Sequence, residues 1–253
     1  MTERIRVGTS GWHYRHWQGP FYPEDIKSRD MLGFYCGRLQ TVEINNSFYH
    51  LPAKETFRLW RQVTPRHFLF AVKASRYITH MKKLKDPGQS LALFLSHVDE
   101  LGGKLGPILF QLPPRWGRDP GRAREFLGAL PEEHRYAFEF RDPSWFHREI
   151  YALLEQHNAA FCVFDLAGQE SPRILTADFA YLRLHGPATL KYAGRYTRSE
   201  LRDWLRSAKK WLTQGAREVF IYFDNDEAGY AALNALDLQE MIRAGQLLSL
   251  IHI

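Results

Sequence analysis

Short apolar runs rich in Val, Ile, Phe and Tyr alternate along the chain with longer segments whose apolar residues recur every three or four positions. The runs are Ile5–Thr9, Thr41–Asn45, Leu69–Lys73, Ile108–Gln111, Tyr136–Arg141, Ala160–Asp165, Tyr181–His185 and Glu218–Asp224. They are nearly continuous in apolar character, as strands buried on both faces of a parallel sheet must be. Between them, Ala53–Val63 follows Pro52 and sets Phe57, Trp60 and Val63 on one helical face. Gln89–Leu101, Gly121–Leu130 and Phe146–His157 show comparable stripes. Ser199–Leu212 starts at an N-cap, Thr197 or Ser199, and turns Leu201, Trp204, Leu205, Ala208 and Leu212 inward. Ala228–Ile242 closes the set. Eight strands with helices between them predict an α/β fold, a (β/α)₈ barrel of the TIM type, as one domain over residues 1–247. The pattern weakens over Leu166–Asp178, where Gly168 and Pro172 leave room for little more than one turn, so the sixth helix is expected to be shortened or irregular. No internal repeat, low-complexity tract or linker divides the chain.

A length of 253 residues suits one such barrel, and 45% hydrophobic with 25% charged residues is the profile of a globular protein. The six residues Leu248–Ile253 read like the translation of a sequencing-adapter end and are set apart as a non-native tail. The N-terminus enters a strand with no signal-peptide core, and no apolar run has the length to cross a bilayer, so a cytoplasmic protein without membrane partners is expected. Cys36 and Cys162 lie in apolar segments and suit a reducing compartment. Lys and Arg number 34 against 28 Asp and Glu, a net +6 that favours anionic partners.

In barrels of this class the C-terminal ends of the strands form the active face. Here those ends carry Ser10 and Trp12, Glu43 and Asn45, Lys73, Gln111, Glu139 and Arg141, Asp165, Arg183 and His185, and Asp224 and Asn225. One or two polar endings mark an ordinary passage into a solvated loop. Polar groups at all eight ends point to a pocket for a small polar ligand.

Several short motifs follow one another in order. They are Gly8-Thr9-Ser10-Gly11-Trp12, Phe21-Tyr22-Pro23, Val42-Glu43-Ile44-Asn45-Asn46-Ser47-Phe48-Tyr49, Thr79-His80, Gln111-Leu112-Pro113-Pro114, Glu139-Phe140-Arg141 and Arg183-Leu184-His185-Gly186. Together they resemble the YecE-like family, also called domain of unknown function 72, over nearly the whole chain as far as Asn225 and Ala232–Ala235. The resemblance implies a TIM-type barrel and no settled activity. It also implies paired asparagines on the last strand, where this chain has Asp224-Asn225 instead.

Glu43 and Glu139 suit general acid and base work or metal ligation. The plainer alternative pairs each with a cation, Glu139 with Arg141 for instance. Lys73 ends an apolar strand, and a desolvated lysine forms Schiff bases. With Arg141 and Arg183 also at strand ends, a clamp for phosphate or carboxylate fits the set better, because guanidinium forks bind oxyanions in pairs. A salt bridge from Lys73 to Glu43 is the structural alternative. His185, held before Gly186-Pro187, suits proton transfer or metal binding, or is a strand-end histidine satisfied by its neighbours. His80 is a lid residue or a solvated loop residue. Asn45, Gln111 and Asn225 add neutral hydrogen-bonding groups. Trp12, Tyr49 and Trp145 lie in aromatic-rich loops, where rings stack on sugars or bases or simply pack.

Glu43, Glu139, Asp165, His185 and Asp224 offer hard ligands to a divalent metal. No local metal motif is present, and the interleaved Lys73, Arg141 and Arg183 oppose a cation, so no residue is assigned to a metal and no cofactor is predicted. The leading expectation is an enzyme acting on a small anionic metabolite, phosphorylated or carboxylated and sugar-like. Glu139 and Glu43 would do acid–base work with His185 assisting. Arg141, Arg183 and Lys73 would hold the anion, while Trp12 and Tyr49 shape the wall. The alternative is a nucleic-acid-associated protein or metal-dependent nuclease, drawing on the basic clusters His80–Lys85, Arg115–Arg124 and Arg202–Lys210, which also read as solvated helix faces. A binding protein without turnover is the third reading.

Overall fold

The computed structural model describes residues 4–251, with side chains as far as residue 245. In chain order, β1 (Ile5–Thr9) is followed by α1 (Met31–Cys36), β2 (Thr41–Ile44), α2 (Asn46–Tyr49), α3 (Lys54–Val63) and β3 (Leu69–Lys73). Next come α4 (Pro87–Val98), β4 (Leu105–Gln111), α5 (Pro120–Gly128), β5 (Tyr136–Glu139), α6 (Arg148–Gln156) and β6 (Ala160–Leu166). The chain ends with β7 (Gln169–Glu170), β8 (Phe179–Leu184), α7 (Arg198–Thr213), β9 (Glu218–Phe223) and α8 (Tyr230–Ile251). The tail 248–253 falls outside the fully described residues. No helix among the described residues is long and apolar enough to cross a membrane.

The irregularity expected at the sixth helix takes the form of a hairpin, and no helix lies between β7 and β8. Ala167 and Gly168 adopt left-handed conformations, φ 54° and 78°, and close a two-residue turn that sets Asp165 opposite Glu170. Several strands also stop short of their polar endings. β2 stops at Ile44, β5 at Glu139, β8 at Leu184 and β9 at Phe223, so Asn45, Arg141, His185 and Asp224 belong to the following loops.

The chain forms two compact units. The first comprises Met1–Val42, Val163–Arg173 and Asp178–Ile253. In it β1, β9 and β8 run parallel, with Val7 opposite Ile221 and Ile221 opposite Leu182. Gly8 is required by close approach, since a Cβ there would stand 2.1 Å from the Thr41 carbonyl oxygen. The Tyr35 hydroxyl of α1 accepts from the Thr9 N–H and donates to the Thr41 carbonyl, both at 3.0 Å, which docks α1 onto the strands. α7 opens with a capping box: Thr197 Oγ1 accepts the Glu200 N–H at 3.3 Å and the Glu200 carboxylate accepts the Thr197 N–H at 2.7 Å. Its inner face buries Leu201, Trp204, Leu205, Ala208, Trp211 and Leu212, and each large apolar side chain so buried contributes about 1.5–3 kcal/mol.

The second unit comprises Glu43–Cys162 and Ile174–Ala177. β3, β4 and β5 run parallel in that order, with Val72 opposite Ile108 and Gln111 opposite Glu139. The opening residues of β6 join them, Ala160 opposite Ala137. An aromatic ladder fills the space beneath: Phe110 stacks on Phe138, Phe138 on Phe140, and Phe140 on Trp145. Each such pair adds about 0.5–1.5 kcal/mol beyond area burial.

Candidate functional site

In the first unit the parallel order β1–β9–β8 brings together residues at or just past three strand ends. Arg183, 1% exposed, donates to Ser10 Oγ at 3.2 Å and to Asp224 Oδ2 at 3.1 Å. His185 is fully buried beside them, with Nδ1 2.9 Å from Asp224 Oδ2 and Nε2 3.5 Å from an Arg183 Nη. A guanidinium only donates, so Nε2 is the accepting nitrogen and the ring proton sits on Nδ1, facing Asp224. Asn225 is buried nearby and spends its Nδ2 hydrogens on the Gly194 carbonyl at 2.8 Å and Asn234 Oδ1 at 3.0 Å. Its oxygen has no hydrogen-bond partner among the described residues. Trp12 is buried, and its carbonyl accepts the Tyr22 hydroxyl at 2.5 Å.

In the second unit Glu43 and Glu139 are fully buried. The Glu139 carboxylate forms an ion pair with the Arg141 guanidinium, and the Cys162 thiol lies 3.8 Å from its other oxygen. Gln111, the register partner of Glu139, is half-buried with Nε2 3.4 Å from the Leu112 carbonyl. The Lys73 ammonium stands 4.3 Å from the centre of the Phe48 ring, and the Lys73 carbonyl accepts the Ser47 hydroxyl at 2.7 Å. His80 packs edge-to-face on the same ring at 5.0 Å.

The tautomer of His80 is linked to the hydroxyl proton of Thr79. Thr79 donates its hydroxyl proton to the Ser75 carbonyl and lies 2.9 Å from His80 Nδ1. With the Thr79 proton on the Ser75 carbonyl, Nδ1 carries the ring hydrogen and Nε2 offers a lone pair. Burial, reinforced by the charges of Lys73 and Arg76, lowers the pKa to about 4, while Glu139 pulls the other way. At neutral pH the ring is uncharged, in the field of Lys73 and Arg76.

His80 sits in a π-type turn, Tyr77–Met81, followed by three non-glycine residues in the left-handed region: Lys83 (φ 47°), Leu84 (φ 63°) and Asp86 (φ 43°). Each such conformation costs of order 1 kcal/mol or more and persists where its surroundings impose it. The buried Leu84 anchors the loop, its N–H bonded to the Ile78 carbonyl at 2.9 Å.

The remaining candidates of this unit differ in exposure and partners. Asn45 is half-buried, and its Oδ1 has no hydrogen-bond partner among the described residues. Tyr49 is 75% exposed. Trp145 is buried, stacked on Phe140 at 4.9 Å, and donates from Nε1 to the Trp116 carbonyl at 2.6 Å. Among the described residues no three His, Cys, Asp or Glu side chains stand together as ligands for a metal ion.

Comparison with known proteins matches residues 6–250 to the protein family of unknown function DUF72. The chain belongs to the DUF72 family. It is 27% identical to the UPF0759 protein YunF of Bacillus subtilis, with 94% of each chain covered. The UPF0759 protein YecE of Escherichia coli K12 is 32% identical over 113 residues, 44% of this chain and 42% of that protein. A crystal structure of a DUF72 family protein from Thermotoga maritima superposes with a TM-score of 0.84 at 30% identity, covering 94% of this chain and 99% of that one. The DUF72 fold, and that of this chain, is accordingly a (β/α)₈ barrel of the TIM type.

Two participants escaped the reading of the DUF72 motifs. Arg76 lies three residues past β3, beyond the strand end itself, and exposure of a lone loop arginine gives no signal. Cys162 sits mid-strand among apolar neighbours. Asp224 reads in the sequence as a polar strand end, a hard metal ligand and a departure from the paired asparagines of DUF72; the structure makes it the carboxylate that receives both Arg183 and His185.

Proposed function

We propose that the protein is an enzyme that binds a small anionic metabolite, phosphorylated or carboxylated and sugar-like, at the strand ends of the second unit. The observation that carries this reading is the convergence of Lys73 and the uncharged, half-buried His80 on the Phe48 ring, with the charge of Arg76 also acting on His80. In this reading Lys73 and Arg76, the two cations whose charge acts on His80, face the oxyanion, and His80 Nε2 accepts a hydrogen bond from a ligand hydroxyl. Glu139 and Glu43 supply acid–base chemistry beside it. Arg183, His185 and Asp224 hold the loops at the ends of β8 and β9 in this reading.

Inorganic phosphate and a panel of phosphorylated and carboxylated sugars test the proposal by thermal shift and by product detection after prolonged incubation. A ligand at about a hundred times its Kd adds roughly 2.7 kcal/mol of stability. Stabilisation lost in Lys73→Gln is the expected result; stabilisation by none of these anions would overturn the assignment. Binding without product would leave a binding protein.

One observation favours nucleic-acid association as the second reading. Two basic clusters distant in sequence meet in this unit: Arg122 donates to the Lys83 carbonyl at 3.2 Å, and the Lys83 ammonium lies 6.0 Å from the Trp116 ring.

A further inference from the structure

A cavity of about 280 Å³ opens in the first unit between the β6–β7 hairpin and the start of α7, with Asp165, Glu170, Tyr196, Glu200, Asp203 and Trp204 in its wall. It uses none of the residues of the proposed anion site. Three of its four carboxylates are already engaged. Glu170 and Asp203 share the Arg173 guanidinium, at 3.1 and 2.7 Å, and that guanidinium stacks 3.8 Å from the Trp204 ring centre. Glu200 closes the capping box of α7.

Asp165 differs. It is 8% exposed, and its one side-chain hydrogen bond comes from the Tyr196 hydroxyl to Oδ2 at 2.8 Å. No cation pairs with it among the described residues, and Oδ1 is left to the cavity it lines. The surroundings hold this arrangement firmly. The Tyr196 hydroxyl also accepts the Gly186 N–H at 3.0 Å, and the Asn234 amide grips both the N–H and the carbonyl of Tyr196, at 3.0 and 2.9 Å. Burying a carboxylate without a cation is costly. Burial raises the pKa of Asp165; the Tyr196 bond lowers it, Glu170 and Glu200 raise it further, and the more distant Arg173 offsets part of the rise. A fold that clamps a destabilising carboxyl at a cavity wall retains it for something that enters the cavity.

We propose that this cavity binds a small organic ammonium, with Asp165 Oδ1 as its anionic partner. The charge balance at the wall is negative, four carboxylates against two guanidinium groups, that of Arg206 in the wall and that of Arg173 behind Glu170 and Asp203. The chemistry selects among cations. The described residues form no cluster of metal ligands, and the Trp204 face already carries Arg173, so a second stacked guanidinium finds no ring there. A primary ammonium is a compact point charge with three N–H donors, which Asp165 Oδ1 and the Ser199 hydroxyl at the wall are suited to receive. The volume lies just below the range of about 300–1,000 Å³ typical of small-molecule sites, which limits the ligand to a short amine or diamine.

Calorimetric titration of the full chain with 1,4-diaminobutane at neutral pH, against butanol at the same ionic strength, tests the site. Binding of the diamine and not of the alcohol is expected. Asp165→Asn keeps an acceptor for the Tyr196 hydroxyl, yet is expected to weaken the diamine by about tenfold or more. The same variant should raise the thermal midpoint of the unliganded protein, because a buried charge is removed. Ser199→Lys, an exposed change that sets a tethered ammonium at the mouth, is expected to abolish diamine binding with the fold intact, and it carries the test if Asp165→Asn does not fold. No heat with the diamine, unchanged affinity in Asp165→Asn or in Ser199→Lys, or full displacement by magnesium chloride at matched ionic strength would each overturn the proposal.

Discussion

His80 is the residue at which the electrostatics of the second unit are most directly measurable. Its folded pKa near 4 lies below the ordinary value of 6.5, so the unfolded chain takes up the proton first. Stability therefore falls as pH drops from about 6.5 toward 4, and this contribution is absent above that window. His80→Gln removes the linkage. The urea midpoint of the variant should gain on that of the wild type between about pH 7 and about pH 5; parallel pH profiles would show that the ring is not held neutral. An anion seated against Lys73 and Arg76 cancels part of their field, so saturating phosphate should move the NMR titration midpoint of His80 upward, and Lys73→Gln should move it upward without phosphate. Glu139 invites a different measurement. Removing one member of a buried ion pair costs about 3–5 kcal/mol, whereas replacing both with packed neutral side chains is close to neutral. Glu139→Gln should therefore be far less stable than Glu139→Gln combined with Arg141→Met. A single variant within about 1 kcal/mol of wild type would mean that the pair is solvated.

Among the elements, α7 shows how local chemistry sets a boundary. Its N-cap was open between Thr197 and Ser199, and the structure selects Thr197 because the residue three positions on, Glu200, reaches back to complete the box. Thr197→Ala should cost about 1 kcal/mol in denaturant unfolding with an unchanged m-value, and Ser199→Ala close to nothing; equal losses would place the cap elsewhere. The strands were legible for a plain reason: buried parallel strands are apolar on both faces, and the eight runs stand out against amphipathic helices. The hairpin after β6 was not, since one of its two left-handed positions is an alanine. The loop that holds His80 was equally silent, because Lys83, Leu84 and Asp86 take left-handed conformations without the glycine or asparagine that announces them. Polar strand ends were visible in the sequence, but their pairing was only half visible. Glu139 and Arg141 are two residues apart and suggest each other, whereas Ser10, Arg183 and Asp224 meet only once β1, β9 and β8 lie side by side.

For the molecule as a whole, the net +6 acquires meaning only through its distribution. Residues 76–86 and 115–125 together hold eight Lys or Arg against three Asp or Glu, while residues 202–210 on α7 hold four against one. Sequence treats the three clusters alike. The structure joins the first two through Arg122, Lys83 and Trp116, whereas on α7 Arg206 pairs with Asp203. If polyanion affinity followed net charge, reversal of any two exposed cations would weaken it equally. If it follows the joined patch, Lys85→Glu with Arg124→Glu should weaken single-stranded RNA, and Arg202→Glu with Lys210→Glu should not, although both pairs lower the net charge by the same four units. Salt titration sharpens the contrast. Each phosphate contact on a single strand contributes about 0.7 to the slope of log affinity against log salt, so loss of two contacts should flatten the slope by about 1.4 for the first pair alone. Equal slopes in both variants would mean that the patch reads no polyanion, and the exposed cations around 76–86 would then serve the small anion at Lys73 and Arg76 only by long-range attraction, an effect that salt at physiological strength screens within about 8 Å.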